Sequence, residues 1–327
     1  MSLHGYLHSR RALLIAATFA LSAGTVGAQE NFPNRPIKIV VGSEAGSAPD
    51  VLARLVAHEL GPLLGQSVIV ENKAGAAGTI GANFVAGAPP DGYTILMGTV
   101  SNVSLAPSFY PVKYDPVKSF TPIGMVASVP LVLVTTPGLQ VNTYQQLAAK
   151  VKQGTPMSFA SPGIGGPQHL AGVLLQRQLG VSMMHVPYKS GGAAMTAVVS
   201  GEVQFAFAGI PVAASLASGK KVTPIFVTLS KRSPAMPDVP SATEAELKGF
   251  DIDNWHALLA PAGIPPAVRS ALDAALQKAL ASRALADQFA KMGAAPAPGT
   301  GKQLESVIAA ETARWSKFVT ENKLKVE

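Results

Sequence analysis

Ile37 to Leu60 reads IKIVVGSEAGSAPDVLARLVAHEL, and this stretch decides the fold. Ile37, Ile39, Val40 and Val41 make an apolar run rich in β-branched residues, which suits a strand. A Gly/Ser loop interrupts the run, and leucines and valines then return at helical spacing. The reading is strand, loop, helix. Ser47 is placed to cap the helix, Pro49 is tolerated in its first turn, and Asp50 stands where a capping box closes. Gly42 and Gly46 permit a turn tight enough for the first free N–H groups of the helix to face the space above the strand, where anions are favoured. A single loop of this kind is most often an ordinary turn.

Working outward, the same unit recurs. Ser67 to Glu71 (SVIVE) predicts a second strand, followed by the loop Asn72 to Gly78 and a helix carrying Ile80, Phe84 and Val85. Tyr93 to Gly98 predicts a third strand, with Thr99, Ser101, Asn102 and Ser104 in a polar loop after it. In an open parallel sheet these loops share the carboxyl edge, where α/β folds bind ligands. Recurrence makes the edge a candidate site.

Tyr114 to Pro122 punctuates the chain, and Ile123 to Val134 supplies two apolar runs divided by Ser128-Val129-Pro130. This marks a crossing into a second lobe. There Thr143 and Gln146 open a helix, Met157 to Ala160 is a strand, and the glycine-dense loop Ser161 to His169 enters a helix with Leu170, Val173, Leu174 and Arg177. Met183 to Val186 and Val203 to Phe207 continue the alternation. Lys221 to Leu229 is an apolar strand suited to returning the chain, Ser241 and Glu244 cap a further helix, and Asp253 to Pro261 is strand-like. Helices from Pro265 and from Lys302 to Lys323 complete an α/β protein of two lobes, with lobe 1 as 29–126 plus 228–327 and lobe 2 as 127–227. Hinge crossings are expected near Val126 and Val227.

The first 28 residues read as an export signal, with Arg10 and Arg11, an apolar core from Ala12 to Leu21, and a small-residue cleavage site ending at Ala28. The arginine pair leaves the general and twin-arginine routes both open. No later apolar run has the roughly 20 residues a membrane helix needs. With no cysteine there are neither disulfides nor thiolate metal sites. The net charge of +7 loses two units with the signal, and without a basic run or interleaved aromatics nucleic-acid binding is not expected.

Catalytic groupings are missing from the pattern. His58 stands on a polar helix face, His185 lies in an apolar strand, and His169 borders the glycine-rich loop, where it can donate to an anion or close the first turn of its helix. No metal-spaced histidine pair, G-x-S-x-G elbow, phosphate loop or spaced dinucleotide fingerprint appears. No cofactor or metal is expected. A binding protein needs only donors and a hinge.

Several motifs together carry a resemblance: Asn34-Arg35-Pro36-Ile37, Gly65 to Lys73, Pro90-Asp91-Gly92-Tyr93-Thr94, Tyr114-Asp115-Pro116, His185 to Lys189, and Ala260 to Pro265. In order along the chain they resemble the Bordetella uptake gene receptors, the substrate-binding proteins of tripartite tricarboxylate transporters. The resemblance implies a type II periplasmic binding protein fold, a Venus flytrap closing on a small carboxylate. It further implies a periplasmic, monomeric receptor that docks on integral-membrane permease subunits, with no catalytic function. A sensor docking on a signalling receptor, or an enzyme on the same fold, are the alternatives. Carried over by motif, the ligand loops fall on Ser43, Glu44, Ala45, Gly46 and Ser47; on Gly75, Ala76, Ala77 and Gly78; and on Thr99, Ser101 and Asn102. From the second lobe come Ser161, Gly163, Gly165, Gly166 and His169, with Tyr188 and Gln204. Two positions depart from the family pattern: Ser43 to Ser47 replaces a run rich in proline and glycine, and Gln204 replaces a frequent aspartate.

Overall fold

The computed structural model describes residues 32–247, 249–250 and 252–324, and the expected export signal lies outside them. Phe32–Asn34 fall in an N-terminal unit of their own, whereas every element below belongs to Arg35–Glu327. β1 (Ile37–Val41) leads into α1 (Ala48–Leu64), β2 (Val68–Asn72) into a short 3-10 turn and α2 (Thr79–Ala86), and β3 (Thr94–Thr99) into one π-helical turn at Val100–Leu105. β1 pairs in parallel with β2 and with β3. Their loops therefore leave one edge. α1 forms because Leu52, Ala53, Val56, Ala57 and Leu60 bury one stripe, and it stops where Gly65 takes the left-handed conformation, φ 66°. Each fully buried leucine contributes about 2 kcal/mol through apolar area removed from water.

β4 (Phe120–Ser128) and β5 (Leu131–Thr135) are separated only by Val129 and Pro130 yet lie in different sheets. The chain continues through α3 (Tyr144–Lys152), β6 (Ser158–Ser161), α4 (Pro167–Leu179), β7 (Met184–Pro187), α5 (Gly191–Ser200), β8 (Phe205–Gly209), α6 (Ile210–Ser218) and β9 (Thr223–Val227). These strands form a sheet in the order β7-β6-β8-β5-β9. β6 is parallel to β7 and β8, and β5 is antiparallel to β8 and β9. A long connection then reaches β10 (Trp255–Pro261), followed by α7 (Pro266–Leu280), α8 (Arg283–Lys291), β11 (Ala295–Pro296) and α9 (Gly301–Glu321). The other sheet has the order β11-β4-β10-β3-β1-β2.

The orientation of β10 matters for the site. It runs antiparallel to β3, with His256 opposite Thr99. Its first residues, not its last, therefore reach the carboxyl edge of β1 and β3.

Three sequence expectations change. The sheets switch at Val129-Pro130 and between Val227 and Trp255, so the strand expected at 221–229 stays in the second sheet as β9. The helix expected after Ser241 is a run of turns. Ser241 and Glu244 do exchange their capping bonds, 2.8 and 3.2 Å, but Glu246 enters the left-handed region at φ 63° and ends the turn before a second can form. The capping box at α1 also fails: the Ser47 side chain makes no cap bond. Apolar packing is continuous across the sheets, one buried cluster joining Val40 and Leu96 to Leu133, Phe159 and Phe205.

Candidate functional site

The loop after β1 is held by a buried carboxylate. Asp50, 2% exposed, accepts from Arg54 Nε at 3.0 Å and Nη2 at 2.9 Å, from Asn72 Nδ2 at 2.9 Å and from the Gly46 amide at 2.9 Å. The forked guanidinium and the β2 amide occupy the carboxylate that would close one half of the capping box, and the Ser47 hydroxyl that would make the other half is turned to Ser43. Burial pulls the Asp50 pKa up, but the bonds from Arg54, Gly46 and Asn72 more than offset it, and the net shift is downward. Asn72 also donates to the Ser43 carbonyl at 3.0 Å, and the Ser43 and Ser47 hydroxyls are paired at 2.6 Å. The loop is cross-braced on the side away from the ligand space.

The second and third loops close on the first. Ala76 and Ala77 both take positive φ, 46° and 53°, a left-handed turn that alanine adopts only at a cost. Gly42 and Gly78 allow the loops to touch: a Cβ on Gly42 would stand 2.6 Å from the Gly78 carbonyl oxygen. Thr99 caps the π-helical turn, accepting from the Asn102 amide at 3.2 Å, while Asn102 Oδ1 accepts from the Thr99 amide at 2.8 Å. The Tyr114 hydroxyl donates to the Asn102 carbonyl.

On the second sheet, Ser161 ends β6 and is 1% exposed. Its hydroxyl donates to the Gly163 carbonyl at 2.8 Å, accepts from the Gly163 amide at 3.2 Å, and lies 2.7 Å from His185 Nε2. Because the one hydroxyl proton goes to a carbonyl, His185 Nε2 carries the proton on that contact. Gly165 donates its amide to His169 Nδ1 at 3.3 Å. The two imidazoles lie 4.4 Å apart between centroids, and Phe159 stacks on His185 at 4.8 Å. Burial pushes both histidines down to about 4, with the neighbouring His185 adding to the effect on His169. They are neutral packing pieces at pH 7.

These loops enclose a cavity of about 610 Å³. Of the residues expected in the site, Ser43, Glu44, Ser47, Gly75, Ala77, Gly78, Thr99, Ser101, Asn102, Gly163 and Gly166 line it. Ala45, Gly46, Ala76, Ser161, Gly165, His169, Tyr188 and Gln204 are not among its lining residues. Ser161 and His169 bind the loop from beneath instead of facing the cavity. Tyr188 turns to Glu202, 3.0 Å away. Gln204 lies before β8, where it accepts from the Ser158 amide and hydroxyl at 2.9 Å, at the opposite end of β6 from Ser161.

Sequence reasoning missed Tyr110, Gln168, Lys189, Asn254 and His256, all of which line the cavity. Lys189 follows Tyr188, the residue expected in the site, which turns instead to Glu202. Among the described residues Lys189 is the one Lys or Arg lining this cavity. His256 comes from β10 and Asn254 from the residue just before it, and both enter because that strand is antiparallel. No group of three metal-ligating side chains occurs among the described residues, and no helix there is long and apolar enough to cross a membrane.

Comparison with known proteins gives a consistent set. The family described as "Tripartite tricarboxylate transporter family receptor" matches residues 52–324. BugT of Bordetella pertussis is 32% identical over 329 residues, covering 98% of this chain and all of BugT. A protein from the TAR-I ttuE-ttuC' intergenic region of Agrobacterium vitis is 34% identical over 95% of this chain and 91% of its own length. Among solved structures, the periplasmic binding protein BugD is 34% identical with a TM-score of 0.77, covering 90% of this chain and all of BugD. MatC from Rhodopseudomonas palustris, solved with bound malate, is 32% identical with a TM-score of 0.77 over 88% of this chain and all of MatC. R. palustris Rpa4515, solved with adipate, is 29% identical with a TM-score of 0.80 over 90% of this chain and all of its own.

Proposed function

The chain belongs to the tripartite tricarboxylate transporter receptor family, and from that premise we propose that it captures a small organic acid in the periplasm and presents it to the integral-membrane permease subunits of such a transporter. The observation that carries this reading is the opposition of two helix N-termini across one cavity. Ser47, Ala48 and Pro49 at the start of α1, and Gly166, Pro167 and Gln168 at the start of α4, line the same space. Pro49 and Pro167 carry no N–H and the Ser47 amide donates to the Glu44 carbonyl at 3.2 Å, so the amides that these turns can offer are those of Ala48, Gly166 and Gln168, and the positive end of each helix dipole favours a carboxylate beside them. Lys189 adds a full positive charge. The relatives solved with malate and adipate support a carboxylate as the ligand class.

The protein acts by binding alone. The family it belongs to is one of substrate-binding receptors, which supports a role in binding without chemistry. Closure rotates the second sheet about the chain crossings at Val129-Pro130 and between Val227 and Trp255. Export by the signal ending at Ala28 places the receptor in the periplasm.

A melting screen of mono- and dicarboxylates tests the proposal. At a hundred times its dissociation constant a true ligand stabilises by about 2.7 kcal/mol, which raises the melting temperature by several degrees, and small-angle scattering shows a smaller radius of gyration. A screen without a hit of that size refutes the carboxylate-receptor reading.

A further inference from the structure

His256 is the residue of the cavity wall that neither anion binding nor packing accounts for. It is 1% exposed and lines the cavity at the start of β10, directly across the strand pair from Thr99. Its Nδ1 lies 3.1 Å from the Asn254 carbonyl oxygen. A carbonyl only accepts, so Nδ1 must hold the proton. Burial pulls the ring's pKa to about 4 against the weaker opposing effect of that bond, which leaves the ring neutral at pH 7. Nε2 therefore carries a lone pair and no proton.

No described residue donates to that lone pair. Thr99 stands opposite His256 across the strands, and its hydroxyl proton goes to Asn102 Oδ1 at 3.2 Å. Among the described residues, the buried polar side-chain atoms sealed without a partner are Ser104 Oγ, Trp255 Nε1 and Thr312 Oγ1. Nε2 of His256 is not one of them, and the cavity is the open space that His256 lines. A simple dicarboxylate at neutral pH has no hydrogen to offer it, and a carboxylate oxygen placed there would meet a like partial charge. A hydroxyl on the ligand's carbon chain can donate to Nε2 while the carboxylates remain at the helix N-termini.

We propose that His256 is a specificity-determining hydrogen-bond acceptor and that the ligand class is a hydroxy acid, a carboxylate whose chain bears a hydroxyl directed at Nε2. This rests on the carboxylate-receptor reading above and adds the feature that distinguishes one carboxylate from another.

The test is isothermal titration of the full mature chain with succinate, glutarate and adipate and with the 2-hydroxy counterpart of each. One neutral hydrogen bond corresponds to about tenfold in affinity, so at least one hydroxylated member should bind about tenfold more tightly than its parent. In His256→Phe, which keeps a ring of similar size and removes the acceptor, that ratio should fall to within twofold. The ratio cancels any general loss of folded protein. If His256→Phe does not fold, wild-type protein labelled with ¹⁵N-histidine gives the same decision. The Nε2 resonance of His256 should be that of an unprotonated nitrogen, and it should shift on saturation with the hydroxylated ligand but not with its parent. Equal affinities within every pair, a preference that survives in His256→Phe, or an Nε2 that carries the proton overturns the proposal while leaving the carboxylate receptor intact. Failure of all six acids to bind overturns this inference, and the melting screen of mono- and dicarboxylates decides the carboxylate reading separately.

Discussion

The two helix N-termini that face each other across the cavity come from the same local design and are braced in opposite ways. At Ser43 to Asp50 a glycine- and serine-rich loop is braced by a buried charge: Asp50, Arg54 and Asn72 form a connected set of hydrogen bonds behind it. At Ser161 to His169 the equivalent loop is braced by neutral groups, the Ser161 hydroxyl and two imidazoles stacked on Phe159. One junction depends on a carboxylate staying ionised, and the other on histidines staying neutral. The difference gives the two halves of one site different failure modes.

Phe159→Ala removes the floor of the second junction. Phe159 is fully buried, its ring stacks on Phe205 at 5.6 Å and on His185 at 4.8 Å, and its truncation should cost about 3 to 5 kcal/mol in chemical denaturation. Loss of less than 1 kcal/mol would mean that the stack does not hold the loop.

Acid separates the junctions without mutation. His169 and His185 titrate near 4 when folded and near 6.5 when unfolded. The unfolded chain therefore takes up protons first, and stability is complete above about pH 6.5 and falls as the pH drops toward 4. By pH 5 each imidazole loses on the order of 2 kcal/mol. Asp50 is shifted down, so its contribution persists through this window and is lost only at lower pH. Amide exchange at pH 5 should accelerate at residues 162–168 before residues 43–48, and simultaneous acceleration would contradict the division.

Asp50→Ala attacks the other side. Removing one partner of a fully buried pair costs 3 to 5 kcal/mol, but Arg54 is half exposed and rehydrates, so about 2 to 3 kcal/mol is expected, with little change in acid sensitivity between pH 5 and 6.5. A variant as stable as wild type would make the network ornamental.

The smallest effect concerns Glu44, which stands exposed at the cavity rim. Its charge opposes a bound carboxylate, weakened by water screening, so Glu44→Gln should tighten simple dicarboxylates a few-fold and weaken any ligand that places a donor there. Identical affinities in both proteins would show that the rim charge does not reach the ligand.

How much of this was legible in the sequence follows from which forces are local. Strand, loop and helix repeat locally, so β1 to β3, their shared edge and the loops at Ser43, Gly75, Thr99 and Gly163 are readable from spacing alone. Side-chain direction within a loop is decided by partners far away in sequence. Ser161 reads as a ligand donor, but its hydroxyl donates to the Gly163 carbonyl, and Ser47 reads as a cap, but its hydroxyl is paired with that of Ser43. His256 was hidden for a topological reason: Asp253 to Pro261 reads as a strand, but nothing in it says that the strand is antiparallel and starts at the ligand edge. Gln204 shows the converse, a position marked by family pattern whose side chain turns back to Ser158.

The claim that both junctions grip one carboxylate ligand is tested most directly by amide hydrogen exchange at pH 7, with and without a saturating acid identified in the melting screen. Residues 43–48 and 162–168 should gain protection together and with the same dependence on ligand concentration. Protection confined to one of the two segments, or to neither, would contradict the account.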